Sequence, residues 1–277
     1  MIMERTEAKV YKSNALVEAS FRLSLYEQRI ILACIAKVRH DEAVSDQVRY
    51  RVSAQEIAEQ TDTQLATAYQ NLRAAAERLF ERRATIYEKP NGGEPDELVT
   101  RWVQAVVYKK KEGTVEIRFA TEMLPYLAQL TERFTHYALS DVAKMTSGYA
   151  IRFYELIAQW RGTEKHGKGE RLIEIEWLRQ ALQLEDKFKL IGDLKRWVIE
   201  PSIKQINEHT HLKAEWEQRK TGRKITHILL KWREKPKPKS EKEAANPLWL
   251  TRAVIEREAR PGETWEKAKE RLEKERR

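Results

Sequence analysis

Two stretches of the chain hold residue types that could do chemistry. The segment GTEKHGKG, residues 162–169, spaces Gly162, Gly167 and Lys168 as G-x-x-x-x-G-K, close to a phosphate-binding loop. That chemistry needs a hydroxyl on magnesium and a loop running from a buried strand into a helix whose N-terminal amides hold the phosphates. Here Gly169 stands where the hydroxyl belongs. The preceding YAIRFYELIAQWR has Ile151, Tyr154, Ile157 and Trp160 at helical spacing, and the following ERLIEIEW reads as a strand. The context is reversed, and Gly162 is read as a helix C-cap. The second stretch, NEHTHLKA, offers His209 and His211, a pair that a metal-dependent DNA-nicking enzyme would use with a tyrosine nucleophile. Two histidines alone make an incomplete metal site, and all ten tyrosines precede residue 155. One Tyr-x-x-Lys, Tyr108 to Lys111, falls at a predicted hairpin tip, and His40, His136, His166 and His227 are scattered. The acidic residues form no metal cluster either. The sequence therefore predicts no catalytic residue, no metal site and no cofactor.

What remains is charge. The 277 residues carry a formal net charge of +9, pI ≈ 9.4, with 34% of positions charged, which points to an anionic partner, nucleic acid before membrane. No apolar run approaches the ~18 residues of a membrane span, and MIMERTEAKVYKSN lacks a signal-peptide core, so a cytoplasmic protein without membrane contact is expected. The single cysteine, Cys34, excludes an intrachain disulfide and reads as a buried thiol. Residues 187–233 contain twelve Lys/Arg against five Asp/Glu, a net +7 of the whole +9.

The elements that must position this charge are written twice, about 122 residues apart. First comes LSLYEQRIILACIAKV, a helix with Leu23, Tyr26, Ile30, Cys34 and Val38 on one face and a Ser24-x-x-Glu27 capping box. The strand VRYRVS follows, then a short helix capped by Ser53-x-x-Glu56. A longer helix through TQLATAYQNLRAAAERLFERR comes next, with Leu65, Tyr69, Leu72, Ala76 and Leu79 inward. LVTRWVQAVVYKK and GTVEIRF then form a hairpin around Lys111-Glu112-Gly113. The second copy runs through the helix YAIRFYELIAQW, the strand RLIEI and the short helix EWLRQALQL. It ends with the long helix FKLIGDLKRWVIEPSIKQIN and a hairpin around Thr221-Gly222. Tyr26/Tyr149, Arg29/Arg152, Ile57/Leu178 and Leu72/Leu194 match between copies. Helix-turn-helix plus hairpin wing, twice, predicts an α+β chain of two tandem winged-helix domains, residues 1–138 and 139–234. A Lys-, Glu- and Pro-rich linker from REKPKPKSEKEAANP and a solvated charged tail, residues 235–277, complete it.

On the second long helix Leu190, Leu194, Trp197 and Val198 are expected to pack. Lys187, Lys189, Lys195 and Arg196 are then left at its DNA-facing N-terminal half, Pro201 is expected to bend the helix beyond them, and Lys204 lies further on. The wing tip RKTGRK adds Arg219, Lys220, Arg223 and Lys224. The first domain offers a weaker set, Thr63, Gln64 and Arg73 at its long helix and Lys109, Lys110 and Lys111 at its wing, with Arg78, Arg82 and Arg83 partly offset by Glu77 and Glu81. Its apolar strand WVQAVVY is the candidate self-association surface.

Three blocks, SNALVEASFRLSLYEQRIILACIAKV, SGYAIRFYELIAQW and DLKRWVIEPSIKQINEHT with KTGRKITHILLKW, make residues 10–233 resemble the replication initiators of iteron-carrying bacterial plasmids. The resemblance implies two winged-helix domains, with the long helix of the second as main base reader. It implies a monomer that binds double-stranded direct repeats at an origin and starts melting, in equilibrium with a homodimer that represses its own promoter at an inverted repeat. It also implies contacts with the host initiator, the replicative helicase and chaperones that split the dimer. A plain winged-helix repressor is the alternative that the residues by themselves leave open.

Overall fold

The computed structural model describes residues 8–92, 97–164, 167–236, 252–260 and 263–275. Residues 8–234 form one compact unit. Strand β1 (Lys9–Ser13) leads into α1 (Asn14–Glu18), β2 (Ser20–Phe21) and α2 (Leu25–Ile35). The Ser24 capping box is present in both directions, with Glu27 donating its amide to Ser24 Oγ at 3.4 Å and Ser24 donating its own to Glu27 at 2.8 Å. β3 (Tyr50–Ser53), α3 (Ala54–Thr61) and α4 (Leu65–Leu79) follow. Ser53 caps α3 through the Glu56 amide at 3.0 Å, but the Glu56 carboxylate turns to Lys37 at 3.0 Å.

Trp102 divides the predicted strand LVTRWVQAVVYKK. β5 (Leu98–Arg101) pairs with β4 (Arg83–Ile86), whereas β6 (Val103–Lys109) pairs with β7 (Thr114–Phe119) as the wing. The cause is the indole of Trp102, wholly buried and edge-on to Phe21 at 4.9 Å between ring centroids. Gly113 supplies φ +59° at the wing turn. β8 (Phe134–Ala138) returns to pair with β1, and α5 (Leu139–Ala143) leads to α6 (Gly148–Ala158). The second copy continues through β9 (Lys168–Glu174), α7 (Ile175–Ala181) and α8 (Ile191–Leu194). A π-helical turn (Lys195–Ile199), α9 (Glu200–His209), β10 (Leu212–Thr221) and β11 (Lys224–Glu234) complete it.

Strand order shows the duplication. The first wing sheet is β3-β7-β6 and the second β9-β11-β10, each with its opening strand against the last. Gly222, at φ +60°, is the first residue of a two-residue turn between paired Thr221 and Lys224. Gly169 has a packing reason instead, since a Cβ there would stand 2.3 Å from the Trp232 ring. One continuous hydrophobic cluster joins both copies, from Leu16, Ile30 and Leu72 to Ile157, Leu194 and Leu230. Cys34 is buried in it, and burial pushes its thiol far above the ordinary range.

Described separately, residues 252–275 include α10 (Arg252–Glu258) and α11 (Trp265–Glu275). The expected tail helix is there, but Ile255, Ala268 and Leu272 are buried together, so it has more apolar face than a merely solvated tail requires. Most of the expected linker, and His166, lie outside the described residues.

Candidate nucleic-acid interface

In the second copy, α7 holds the segment that enters the second long helix. Arg179 is buried and donates to the carbonyls of Lys187 (3.2 Å), Phe188 (2.8 Å) and Lys189 (3.2 Å). Three acceptors on one planar guanidinium fix this turn, in which Phe188 adopts φ +50° with its ring edge-on to Tyr149. Arg179 was not singled out by sequence reasoning, because a buried structural arginine has the same local pattern as a solvated one. Lys187 and Lys189 are exposed here, ahead of the helix rather than on it.

The helix then widens. Glu200 donates its amide to Lys195, five residues back. Pro201 has no N–H to give the Trp197 carbonyl, and its ring crowds that carbonyl, so a turn one residue wider relieves both problems where the sequence suggested a simple bend. Leu194, Val198 and Ile199 are buried as the anchoring side. Leu190 and Trp197, expected to pack beside them, are 71% and 56% exposed, and Leu65 in the first copy is 50% exposed. Apolar periodicity identifies a face without saying what covers it.

The basic residues fall into two groups. Some are engaged: Lys195 donates to Gln218 on β10 and sits 5.8 Å from the Trp216 ring, Arg219 pairs with Glu217 at 2.9 Å, and Lys204 faces Glu208 at 3.8 Å on α9. The Lys231 ammonium, with Arg219, holds the Glu217 carboxyl below the usual range. The others, Lys187, Lys189, Arg196, Lys220, Arg223 and Lys224, are exposed, and among the described residues none has a carboxylate within ion-pair distance. Arg196 stacks on Trp197 at 4.9 Å. Lys187, Lys189 and Arg196 flank the start of the second long helix, and Lys220, Arg223 and Lys224 lie at the tip of the wing.

The first copy is quieter. Thr63 shares a hydroxyl contact with Thr61 at 2.9 Å, Gln64 is the exposed N-cap of α4, and Arg73 pairs with Glu77 at 3.2 Å. Arg78 and Arg82 are consumed by the buried Glu27, at 3.2 Å and 2.8 Å. Burial opposes ionisation of Glu27, yet Arg82, the Ser24 amide and Arg78 hold its carboxyl below the usual range. Lys109 pairs with Glu116 at 2.6 Å, leaving Lys110 and Lys111 exposed on a turn that the Tyr69 hydroxyl fixes by donating to the Lys110 carbonyl at 2.7 Å.

GTEKHGKG and NEHTHLKA have structural places instead. GTEKHGKG connects α6 to β9, so Lys168 and Gly169 begin a strand; Gly162, at φ +93°, is in the turn after α6 rather than at its first capping position. His209 ends α9, and His211 faces Asp141 at 3.7 Å. Among the described residues no three His, Cys, Asp or Glu converge as a metal site. Burial, then the Tyr69 hydroxyl, pushes Tyr108 up to about 12, the opposite of what a nucleophile needs. No helix among the described residues is long and apolar enough to cross a membrane.

Comparison with known proteins agrees with this architecture. A family described as "Initiator Replication protein, WH1" matches residues 9–158, and one described as "Initiator Rep protein, WH2" matches residues 174–232. An uncharacterized 27.6 kDa protein of Escherichia coli is 29% identical over 232 residues, covering 80% of this chain and 94% of that protein. A replication initiation protein of Escherichia coli is 24% identical over 210 residues, covering 75% of this chain and 65% of the relative. The crystal structure of the Pi initiator protein in complex with iteron DNA superimposes with a TM-score of 0.67 at 19% identity, over 82% of this chain and 98% of that one. At that identity the likeness speaks for the fold, two winged-helix domains in tandem. The matched residues span well over half of the sequence, and the chain belongs to the family of winged-helix replication initiator proteins.

Proposed function

We propose that this initiator binds the direct repeats of a plasmid origin as double-stranded DNA, the second copy reading bases through α8 and the π turn while its wing clamps phosphate. The observation that carries the reading is the set of six cations, Lys187, Lys189, Arg196, Lys220, Arg223 and Lys224, left without carboxylates around one helix mouth and one wing tip. The Pi initiator, of the same fold, was crystallised with iteron DNA. Lys195, Lys204 and Arg219 contribute charge from positions already paired within the protein. Thr63, Gln64, Arg73 and Lys109 to Lys111 give the first copy a lighter contact. In this reading residues 1–138 and 139–234 divide the auxiliary and main contacts. A dimer formed through the first copy represses its own promoter at an inverted repeat, chaperones split that dimer, and host initiator and replicative helicase contact the cytoplasmic monomer. The protein recognises and deforms DNA without hydrolysing nucleotide or cutting a strand.

Six phosphate contacts give a slope near −5 in log affinity against log salt. Titrating origin duplex at several salt concentrations is expected to show that steep decline, with a scrambled duplex bound more weakly throughout. Affinity that does not change between low and moderate salt would sink the proposal, and nicking of supercoiled origin DNA in magnesium would return His209 and His211 to contention.

A further inference from the structure

Leu190 and Trp197 have no packing role that explains them. Leu194, between them, and Val198, beside them, are fully buried, yet Leu190 and Trp197 leave 71% and 56% of their surface in water. A single exposed leucine is ordinary, but Leu190 at the N-cap and Trp197 on the π turn are both among the most exposed of the large apolar side chains, and they bracket the first part of the same helix. Gly192 adds no bulk, and the space beside it is open.

The surroundings say what covers this patch. Lys189 adjoins Leu190, the Arg196 guanidinium lies 4.9 Å from the Trp197 ring, and Lys195, between them, reaches Gln218 on the strand that leads to the wing tip with its exposed Lys220, Arg223 and Lys224. Exposed apolar side chains each flanked by a cation without a carboxylate partner fit an anionic surface that also offers small apolar groups. The major groove of duplex DNA is such a surface, since phosphates border it and the 5-methyl of thymine is the apolar group among its base edges.

Resting on the reading that this helix enters the major groove, we propose that Leu190 and Trp197 contact thymine methyl groups and determine part of the recognised sequence. Stacking holds the Arg196 guanidinium beside the indole, and arginine's preferred partner in the groove is the O6/N7 edge of guanine. The thymine met by Trp197 therefore neighbours a guanine met by Arg196.

The test selects duplexes from a random library with the full chain, then replaces each thymine of the winning sequence by uracil, which removes only the methyl. One or two positions, one of them beside a guanine, are expected to lose about four-fold in affinity, the effect of withdrawing one methyl from apolar contact. That loss should vanish in Leu190→Ala or Trp197→Ala, whose exposed positions leave the core intact. A winning duplex with no uracil-sensitive position overturns the proposal, as does sensitivity that persists undiminished in both variants. Undiminished sensitivity combined with lost cooperativity on two tandem sites assigns the patch to contact between copies. A library that yields no preferred sequence overturns the underlying DNA-reading proposal itself, and this one with it.

Discussion

Lys12, Tyr137, Arg152 and Glu155 meet in the interior, where side chains of β1, β8 and α6 converge on one carboxylate. Glu155 accepts from Lys12 at 2.5 Å, from the Tyr137 hydroxyl at 2.6 Å and from Arg152 at 3.2 Å. Burial opposes its charge, but Lys12 and Arg152 hold the carboxyl below its ordinary 4.5. Removing this one anion strands two buried cations, so Glu155→Gln is expected to cost about 3–5 kcal/mol at neutral pH, measured by urea denaturation. A loss below ~1 kcal/mol would show that the cations find other partners. The pH dependence has a definite sign. A carboxyl whose folded pKa is depressed binds its proton more weakly in the folded chain, so its contribution is complete above about 4.5 and is lost as pH falls through the lower folded value. Glu27 titrates in the same sense. Wild type should therefore weaken steadily below about pH 4.5, and Glu155→Gln should show a shallower acid limb.

At the scale of elements, the second long helix and its wing carry two kinds of cation. Arg196, on the π turn beside exposed Trp197, has a fork suited to a base edge, whereas Lys220 at the wing presents a flexible point charge. Arg196→Ala is expected to cost about 1–3 kcal/mol on the specific duplex and to relax preference at one position, while Lys220→Ala weakens specific and random duplex alike. Equal losses on both duplexes for Arg196→Ala would reduce that residue to a phosphate contact. The helices α2, α3, α4, α6 and α7, the Ser24 and Ser53 caps and both wings were legible because capping residues, hairpin glycines and apolar spacing act locally: Ser24, Ser53, Gly113 and Gly222 all stand where the pattern puts them. The strands β1, β2, β4 and β8 were not, since each is short and defined by a distant partner, as Lys9 is by Ala138. The start of the second long helix at Ile191 was also hidden, because Arg179 sets it from another helix. Outward-facing Leu65, Leu190 and Trp197 escaped for a related reason, as an apolar residue saved for a ligand has the spacing of one saved for the core.

For the whole of residues 8–234, two winged helices written in tandem suggest two independent bodies, and the distribution of charge by itself suggests that residues 139–234 could find DNA alone. The packing argues otherwise. Arg29 on α2 donates to the Met145 carbonyl ahead of α6 at 3.2 Å, and Arg152 on α6 donates to the Ala19 carbonyl ahead of α2 at 2.9 Å. The duplicated arginines thus reach across reciprocally, each tying the other copy's entry into its first helix. Gln28 adds a contact to the Gly148 carbonyl at 3.4 Å, and Arg171 on β9 bonds Glu18 at 2.7 Å. A cut at residue 138 would strip Arg152 and Glu155 of Lys12, Tyr137 and Ala19, exposing a surface built to be dry. Local stability follows shared burial rather than sequence repeats, so the two copies should unfold together. Calorimetry of the full chain is expected to give one main cooperative transition for this unit, with calorimetric and van't Hoff enthalpies in agreement, and the 139–234 fragment should melt at a markedly lower temperature. Two resolved transitions, with a fragment as stable as its counterpart in the intact protein, would show that the contacts between Arg29, Arg152 and the opposite copies couple geometry without coupling stability.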